Sequence, residues 1–189
     1  MVKLTALQIQ SLNLEHLSSL LELDQVCFDG LWTMDGYRRE LESPNSHFLG
    51  IFPPFSSELL GMGCFWSILE EAHITILAVH PQYQHQGLGQ ALLYSLLKAA
   101  SDLGLERATL EVRVSNQAAI SLYQKFGFKT AGKRPRYYKD NHEDALILWL
   151  SDLQYPNFEQ TVNDWYKMVS DRLAKSAWTL SLDETLDCK

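Results

Sequence analysis

Gln84, Gly87 and Gly89 are spaced as Gln-x-x-Gly-x-Gly, where a short apolar stretch gives way to an amphipathic one. Residues 74–79 read as a strand, His80-Pro81 as a turn, and Gln84-His85-Gln86-Gly87-Leu88-Gly89 runs straight into a helix. A strand, a glycine loop and a helix start, in that order, make a phosphate cradle. The first N–H groups of a helix lack intrahelical partners, project together from its end and lie at the positive end of its dipole. Glycine at 87 and 89 lets a pyrophosphate approach the backbone closely. Two common nucleotide loops do not fit. No Gly-Lys-Ser/Thr follows, and the dinucleotide fingerprint lacks its first glycine and its ribose-binding acid.

A second run with chemical potential lies downstream, Leu110-Glu111-Val112-Arg113-Val114-Ser115-Asn116 through Tyr123 to Gly127-Phe128. Alternation makes 108–114 a strand. Asn116 or Ser115 caps a helix over 117–126 that carries Ile120 and Tyr123, and Gly127 ends it. Taken alone, Glu111 is the solvent-facing residue of a half-buried strand and Tyr123 a core aromatic. His73 and His85 read as surface residues.

The remaining elements must hold these two runs together. Residues 3–10 alternate as a strand. A helix over 12–28 carries Leu14, Leu17, Leu20, Leu21, Leu23 and Val26, with Asn13 as its cap. After a loop over 28–32, Thr33 caps a short helix ended by Ser43-Pro44. Strands follow over 47–52, 59–69 and 72–79, the last two joined at Glu70-Glu71. The helix over 87–103 buries Leu88, Ala91, Leu92, Leu96 and Ala99, with Gly104 at its end. Strands over 128–134 and 144–150 close the domain around a loop over 135–143. The order is β α α β β β α β α β β, an α/β (α+β) fold with a mixed, twisted sheet of about seven strands flanked by helices. Residues 1–150 form one domain. Residues 151–189 are a C-terminal helical extension whose stripe Phe158, Val162, Trp165, Val169 and Leu173 packs on that domain.

Composition sets outer bounds. A chain of 189 residues, 46% hydrophobic and 21% charged, suits one ordinary globular domain. Cys27, Cys64 and Cys188 form no C-x-x-C pair, so neither a zinc site nor a disulfide framework is expected, and Cys27 and Cys64 sit in apolar segments as core residues. A net charge of −7 disfavours nucleic acid as a partner. With no leader pattern and no run long enough for a membrane span, the expected location is cytoplasmic, with no metal and no membrane partner, as monomer or dimer.

Together, the glycine loop, the stretch 110–128, and Arg136-Tyr137-Tyr138 followed by Glu143-Asp144-Ala145-Leu146-Ile147-Leu148 resemble the GNAT N-acetyltransferase superfamily. Within it they resemble the RimI-type branch, which acetylates the N-terminal alanine of a ribosomal protein. The resemblance covers about residues 3–150 and is strongest over 74–150. It implies central parallel strands that splay apart, with acetyl-CoA as cosubstrate in the gap. By this resemblance the backbone of Leu77, Ala78 and Val79 pairs with pantetheine. The loop opened by Gln84, from His85 and Gln86 through Gly87, Leu88, Gly89 and Gln90, holds the pyrophosphate, and Asn116 contacts the cofactor. Glu111 matches the general base and Tyr123 the general acid. Trp32, Tyr137 and Tyr138 would wall the acceptor slot. Pro135, the length of the 28–32 loop and Ile76 depart from the usual pattern, all on the acceptor side.

The implied activity is acetylation of a protein N-terminal α-amine by direct attack in a ternary complex, with a ribosomal protein among the candidate acceptors. The chemistry suits these groups. An α-amine has a pKa near 8, so roughly a tenth is neutral at pH 7 and the base need collect one proton. A tyrosine near 10 protonates a leaving thiolate of pKa about 8.5 at a cost of about 2 kcal/mol. Two alternatives stay open, a lysine or small-molecule amine acceptor and a noncatalytic acetyl-CoA-binding module.

Overall fold

The computed structural model describes residues 4–181. Lys3 of the first expected strand, the end of the extension and Cys188 lie outside the described residues. In chain order the elements are β1 (Thr5–Ser11), α1 (Leu17–Phe28), α2 (Met34–Glu42), β2 (Ser46–Phe52), β3 (Gly61–Ile68), β4 (Glu71–Val79), α3 (Leu88–Asp102), β5 (Arg107–Arg113), α4 (Gln117–Lys125), β6 (Lys129–Arg134), β7 (Ala145–Leu150), α5 (Phe158–Ala174) and β8 (Trp178–Ser181). One sheet runs β6-β7-β5-β4-β3-β2-β1-β8. It has one strand more than alternation supplies, because β8 is only four residues long and pairs in parallel with β1, from Thr5↔Trp178 to Gln8↔Ser181.

The sheet separates two cores. Leu88, Ala91, Leu92, Leu96 and Ala99 of α3 join Leu7, Ile9, Leu49 and Ile51 of the sheet on one face. Leu20 and Leu23 of α1 and Tyr37 of α2 join Phe48, Phe52, Met62 and Cys64 on the other. Gly63 lets α3 sit close on β3, since a Cβ there would lie 2.8 Å from Leu96 Cδ1. The α5 stripe packs as expected, with Phe158, Trp165, Val169 and Leu173 all in the α3-side core. It covers the outer side of α3, so Leu93, Tyr94, Leu97 and Ala100 are buried as well. The expected helix over 12–28 divides at its start. Asn13 caps a 3-10 turn, Leu14–His16, and α1 begins at Leu17. Leu14 is consequently exposed rather than part of the stripe, and Val26, near the other end of α1, is exposed as well.

The splay of the central strands has a local cause. Cys64 pairs with Ile76 and Phe65 with Ile74, so Thr75 is an extra residue in β4. Such a bulge bends its strand and reverses the side-chain alternation beyond it. Ile74 accordingly faces the α3-side core, whereas Ile76 and Ala78 face the α1-side core. Parallel pairing of β4 with β5 covers only Glu71↔Arg107, Ala72↔Ala108 and His73↔Thr109, and ends just before the bulge.

Candidate active site

Beyond His73, β4 runs on to Val79 with β3 on one side and no strand on the β5 side among the described residues. Leu77 and Val79 are half-buried there and Ala78 is buried. The strand leads through the turn Pro81–Tyr83 into the glycine loop. Gln84 Nε2 donates to the Val79 carbonyl (3.1 Å), and Gln86 Nε2 donates to the Gln82 carbonyl (3.1 Å). Both side chains are therefore engaged in shaping the loop itself. His85 has φ +61° and Gly87 φ +101°. This left-handed region suits glycine and is sparsely used by other residues. Leu88 is buried in the core. The first helical bond of α3 is Ala91 N–H to the Gly87 carbonyl (3.0 Å), so the N–H groups of Leu88, Gly89 and Gln90 precede it at the positive end of the helix. Gln90 Oε1 is shielded from solvent and has no partner among the described residues.

Glu111 lies on β5 beyond the last β4 pair, on the face it shares with Thr109 and Arg113. Its side chain is 10% exposed. Arg134 Nε donates to Glu111 Oε1 (2.9 Å), and His73 Nε2 lies 3.2 Å from Oε2. The other His73 nitrogen, Nδ1, is 2.9 Å from Thr109 Oγ1, whose hydroxyl donates to Glu71 Oε1 (2.6 Å). Glu71 also accepts from Arg107 Nε (3.3 Å). A relay thus runs from Glu111 through His73 and Thr109 to Glu71. His73 is not the free surface residue that sequence suggested. In parallel register it stands opposite Thr109, and Glu111 is the next residue on that face of β5. The signal lay in the paired i, i+2 spacings, Glu71/His73 and Thr109/Glu111, which become legible only once the two strands are known to be neighbours.

Tyr123 sits on α4, 7% exposed, edge-on to Phe128 with ring centroids 5.6 Å apart. Its hydroxyl forms no hydrogen bond among the described residues. Burial, then the neighbouring Tyr138, push its pKa above the ordinary tyrosine range, so the phenol stays protonated across neutral pH. Asn116 is the α4 cap, accepting from Ala119 N–H (3.1 Å), and is exposed. Capping uses only its side-chain oxygen.

The expected acceptor-side residues divide. Trp32 packs 5.2 Å from Tyr37 and 6.5 Å from Phe48, as an outer part of the α1-side core. Its loop is tied down by Asp24, which is buried and accepts from Leu31 N–H (2.8 Å) and from the Tyr37 hydroxyl (2.8 Å). Tyr137 is exposed and edge-on to Tyr138 at 5.2 Å. The Arg113 guanidinium stacks on Tyr138 at 3.8 Å, donates twice to Asp140 (2.9 and 3.1 Å) and reaches Glu143 (3.3 Å). Glu143 also accepts from Ser115 N–H (2.8 Å). Asp24 and Arg113 are positioning residues that spacing did not reveal, because their partners lie in other elements. Cys27 Sγ reaches the Val79 carbonyl (3.6 Å), and burial followed by Asp24 raises its thiol pKa, which keeps it protonated. Among the described residues no group of three or more His, Cys, Asp or Glu could hold a metal ion, and no helix is long and apolar enough to cross a membrane.

Residues 17–128 match the model of the Acetyltransferase (GNAT) family. A Bacillus subtilis protein, a candidate [ribosomal protein bS18]-alanine N-acetyltransferase by name, is 37% identical over 148 residues, covering 78% of this chain and 97% of that one. The Escherichia coli [ribosomal protein bS18]-alanine N-acetyltransferase is 47% identical over 85 residues, covering 44% of this chain and 57% of the relative. The crystal structure of the Escherichia coli ribosomal-protein-S18-alanine N-acetyltransferase superposes with a TM-score of 0.71 at 31% identity, covering 77% of this chain and 94% of that chain.

Proposed function

The chain belongs to the GNAT acetyltransferase family, and from that premise we propose that it transfers acetyl from acetyl-CoA to the α-amino group of a protein N-terminus. An alanine-first acceptor, a ribosomal protein among the candidates, is the reading its relatives' names favour. The observation that carries the reading is the open edge of β4. Pairing with β5 stops at His73, and the free strand edge leads to Val79 and the glycine loop. An extended pantetheine can lie along such an edge as an added strand. The orphan N–H groups at the start of α3 fit a pyrophosphate. When bound, acetyl-CoA supplies an activated acyl group as a thioester.

The residues of this chain then divide the proton traffic. Glu111 takes the proton that the acceptor ammonium must lose, directly or through one water, with His73 behind it as the next station. Backbone N–H groups on the splayed end of β4 would supply hydrogen bonds to the oxygen that gains charge during attack. Tyr123, kept protonated by burial, donates to the departing sulfur. Its acidity is lower than an ordinary tyrosine's, so donation is coupled to departure rather than preceding it. Asp24 and Arg113 hold the 28–32 and 135–144 loops, with Trp32, Tyr137 and Tyr138 as acceptor-side walls.

The test is transfer from acetyl-CoA to short peptides that differ in their first two residues, each with a free or a blocked N-terminus. Transfer to free α-amines, strongest for Ala or Ser first, is expected. Transfer that persists on blocked peptides bearing lysine would overturn the N-terminal assignment.

A further inference from the structure

The C-terminal segment reaches the glycine loop. Arg172 Nη2 of α5 donates to the His85 carbonyl. Trp178 Nε1, at the start of β8, donates to Gln86 Oε1 (2.8 Å). A Cβ on Gly87 would lie 3.0 Å from Arg172 Cγ and 3.2 Å from Leu173 Cδ2, so the end of α5 closes directly over that glycine and fills the space its missing Cβ was expected to leave for a pyrophosphate. Three consecutive loop residues are thus gripped by a segment more than eighty residues away in sequence.

We propose that residues 158–181 act as a brace that sets the phosphate loop for coenzyme binding, with Arg172 and Trp178 as its positioning residues. The proposal rests on the reading that the pyrophosphate of acetyl-CoA occupies this loop. His85 is a non-glycine residue in the left-handed region, a conformation that persists only where the surroundings enforce it. Here the enforcing groups are themselves fixed. Leu173 is fully buried beside Val169, and Trp178 is held by the parallel pairing of β8 with β1. A loop already ordered in its binding conformation loses little freedom when the ligand arrives. Arg172 also brings positive charge. Among the described residues it forms no ion pair with a carboxylate, so its field adds to that of the α3 N-terminus in a chain of net charge −7.

The experiment uses the full-length protein and three substitutions. Trp178→Phe keeps a packed ring and removes the indole N–H, Arg172→Ala removes both the hydrogen bond and the charge, and Arg172→Lys keeps the charge alone. Calorimetric titration of the wild type with coenzyme A comes first. Failure to bind would sink the coenzyme reading itself, before any variant is made. With binding established, Trp178→Phe and Arg172→Ala are each expected to weaken coenzyme A about five- to tenfold, the range of one lost hydrogen bond to a polar or charged partner. Amide exchange over 84–90 in the ligand-free variants should quicken. KM for acetyl-CoA should rise while kcat and the peptide KM move less than about twofold, and Arg172→Lys should recover part of the loss. S-acetylpantetheine, which lacks the pyrophosphate, should be used equally well by all four proteins. Unchanged coenzyme affinity with unchanged exchange in both Trp178→Phe and Arg172→Ala overturns the brace. Equal losses toward coenzyme A and S-acetylpantetheine also overturn it, because they would mark general damage. Should Trp178→Phe fold poorly, Arg172→Ala at the helix surface interrogates the same loop.

Discussion

Glu111 and Tyr123 share a motif but meet opposite surroundings, and the roles proposed for them rest on that contrast. Glu111 is met by a guanidinium and an imidazole, groups that hold a carboxylate and relay a proton. Tyr123 is met by apolar packing that disfavours its anion. Replacing Tyr123 by Phe preserves the packing and removes the donor. We expect kcat to fall about a hundredfold with coenzyme affinity nearly unchanged, the scale of a positioned acid, measured by steady-state rates beside calorimetry. Glu111→Gln keeps the shape and removes the base. Its loss in kcat/KM should be about tenfold at pH 7, where roughly a tenth of the α-amine is neutral, and shrink as pH rises past 8. A deficit of equal size at pH 9 would exclude Glu111 as proton acceptor. Both residues could be singled out as candidates because their motif is contiguous. His73 could not, because its partners Thr109 and Glu111 lie across a strand pairing that no local pattern announces.

Elements were legible where caps and periodicity agree, and blurred where a bond from elsewhere decides. Thr33 capping α2 through Gly36 N–H and Asn116 capping α4 follow the spacing. The bulge at Thr75 does not, since Ile74, Ile76 and Ala78 satisfy simple alternation by eye while facing different cores. The loop over 135–144 owes its shape to Arg113 and Glu143 rather than to turn residues. Glu143 is lowered to about 2 from an ordinary 4.5, first by the Ser115 hydroxyl and then by the Ser115 N–H. A depressed carboxyl contributes stability that is complete above its unfolded value and lost as pH falls toward the folded one. The acid limb of thermal unfolding should therefore steepen between about pH 4.5 and 2, and Glu143→Gln should flatten it. On the opposite side, Asp24→Ala leaves the Tyr37 hydroxyl buried without a partner and frees Leu31 N–H. A loss of about 2–3 kcal/mol in denaturant unfolding is expected.

At the scale of the whole molecule, the extension shares the core of the sheet it covers. Its helix was legible from the stripe Phe158 to Leu173, but its consequences were not. The burial of Leu93, Tyr94, Leu97 and Ala100 depends on which helix lies over α3, and a four-residue strand carries too little alternation to be read. Beyond bracing the loop, β8 pairs the outer edge of β1, a strand that would otherwise present unpaired N–H and C=O groups. If α5 is core rather than appendage, its central aromatic should behave as a core residue. Trp165 is 8% exposed, with its ring 5.2 Å from Phe126 of the α4 end and 5.5 Å from Phe158. Trp165→Ala should cost about 3–5 kcal/mol in a single cooperative transition. Trp149 supplies the comparison, because it sits on β7 at 44% exposed and its loss should cost less than about 1 kcal/mol. Two separated transitions in Trp165→Ala, the first confined to α5 and leaving the sheet intact, would instead make the extension an independent module and free the glycine loop from its influence.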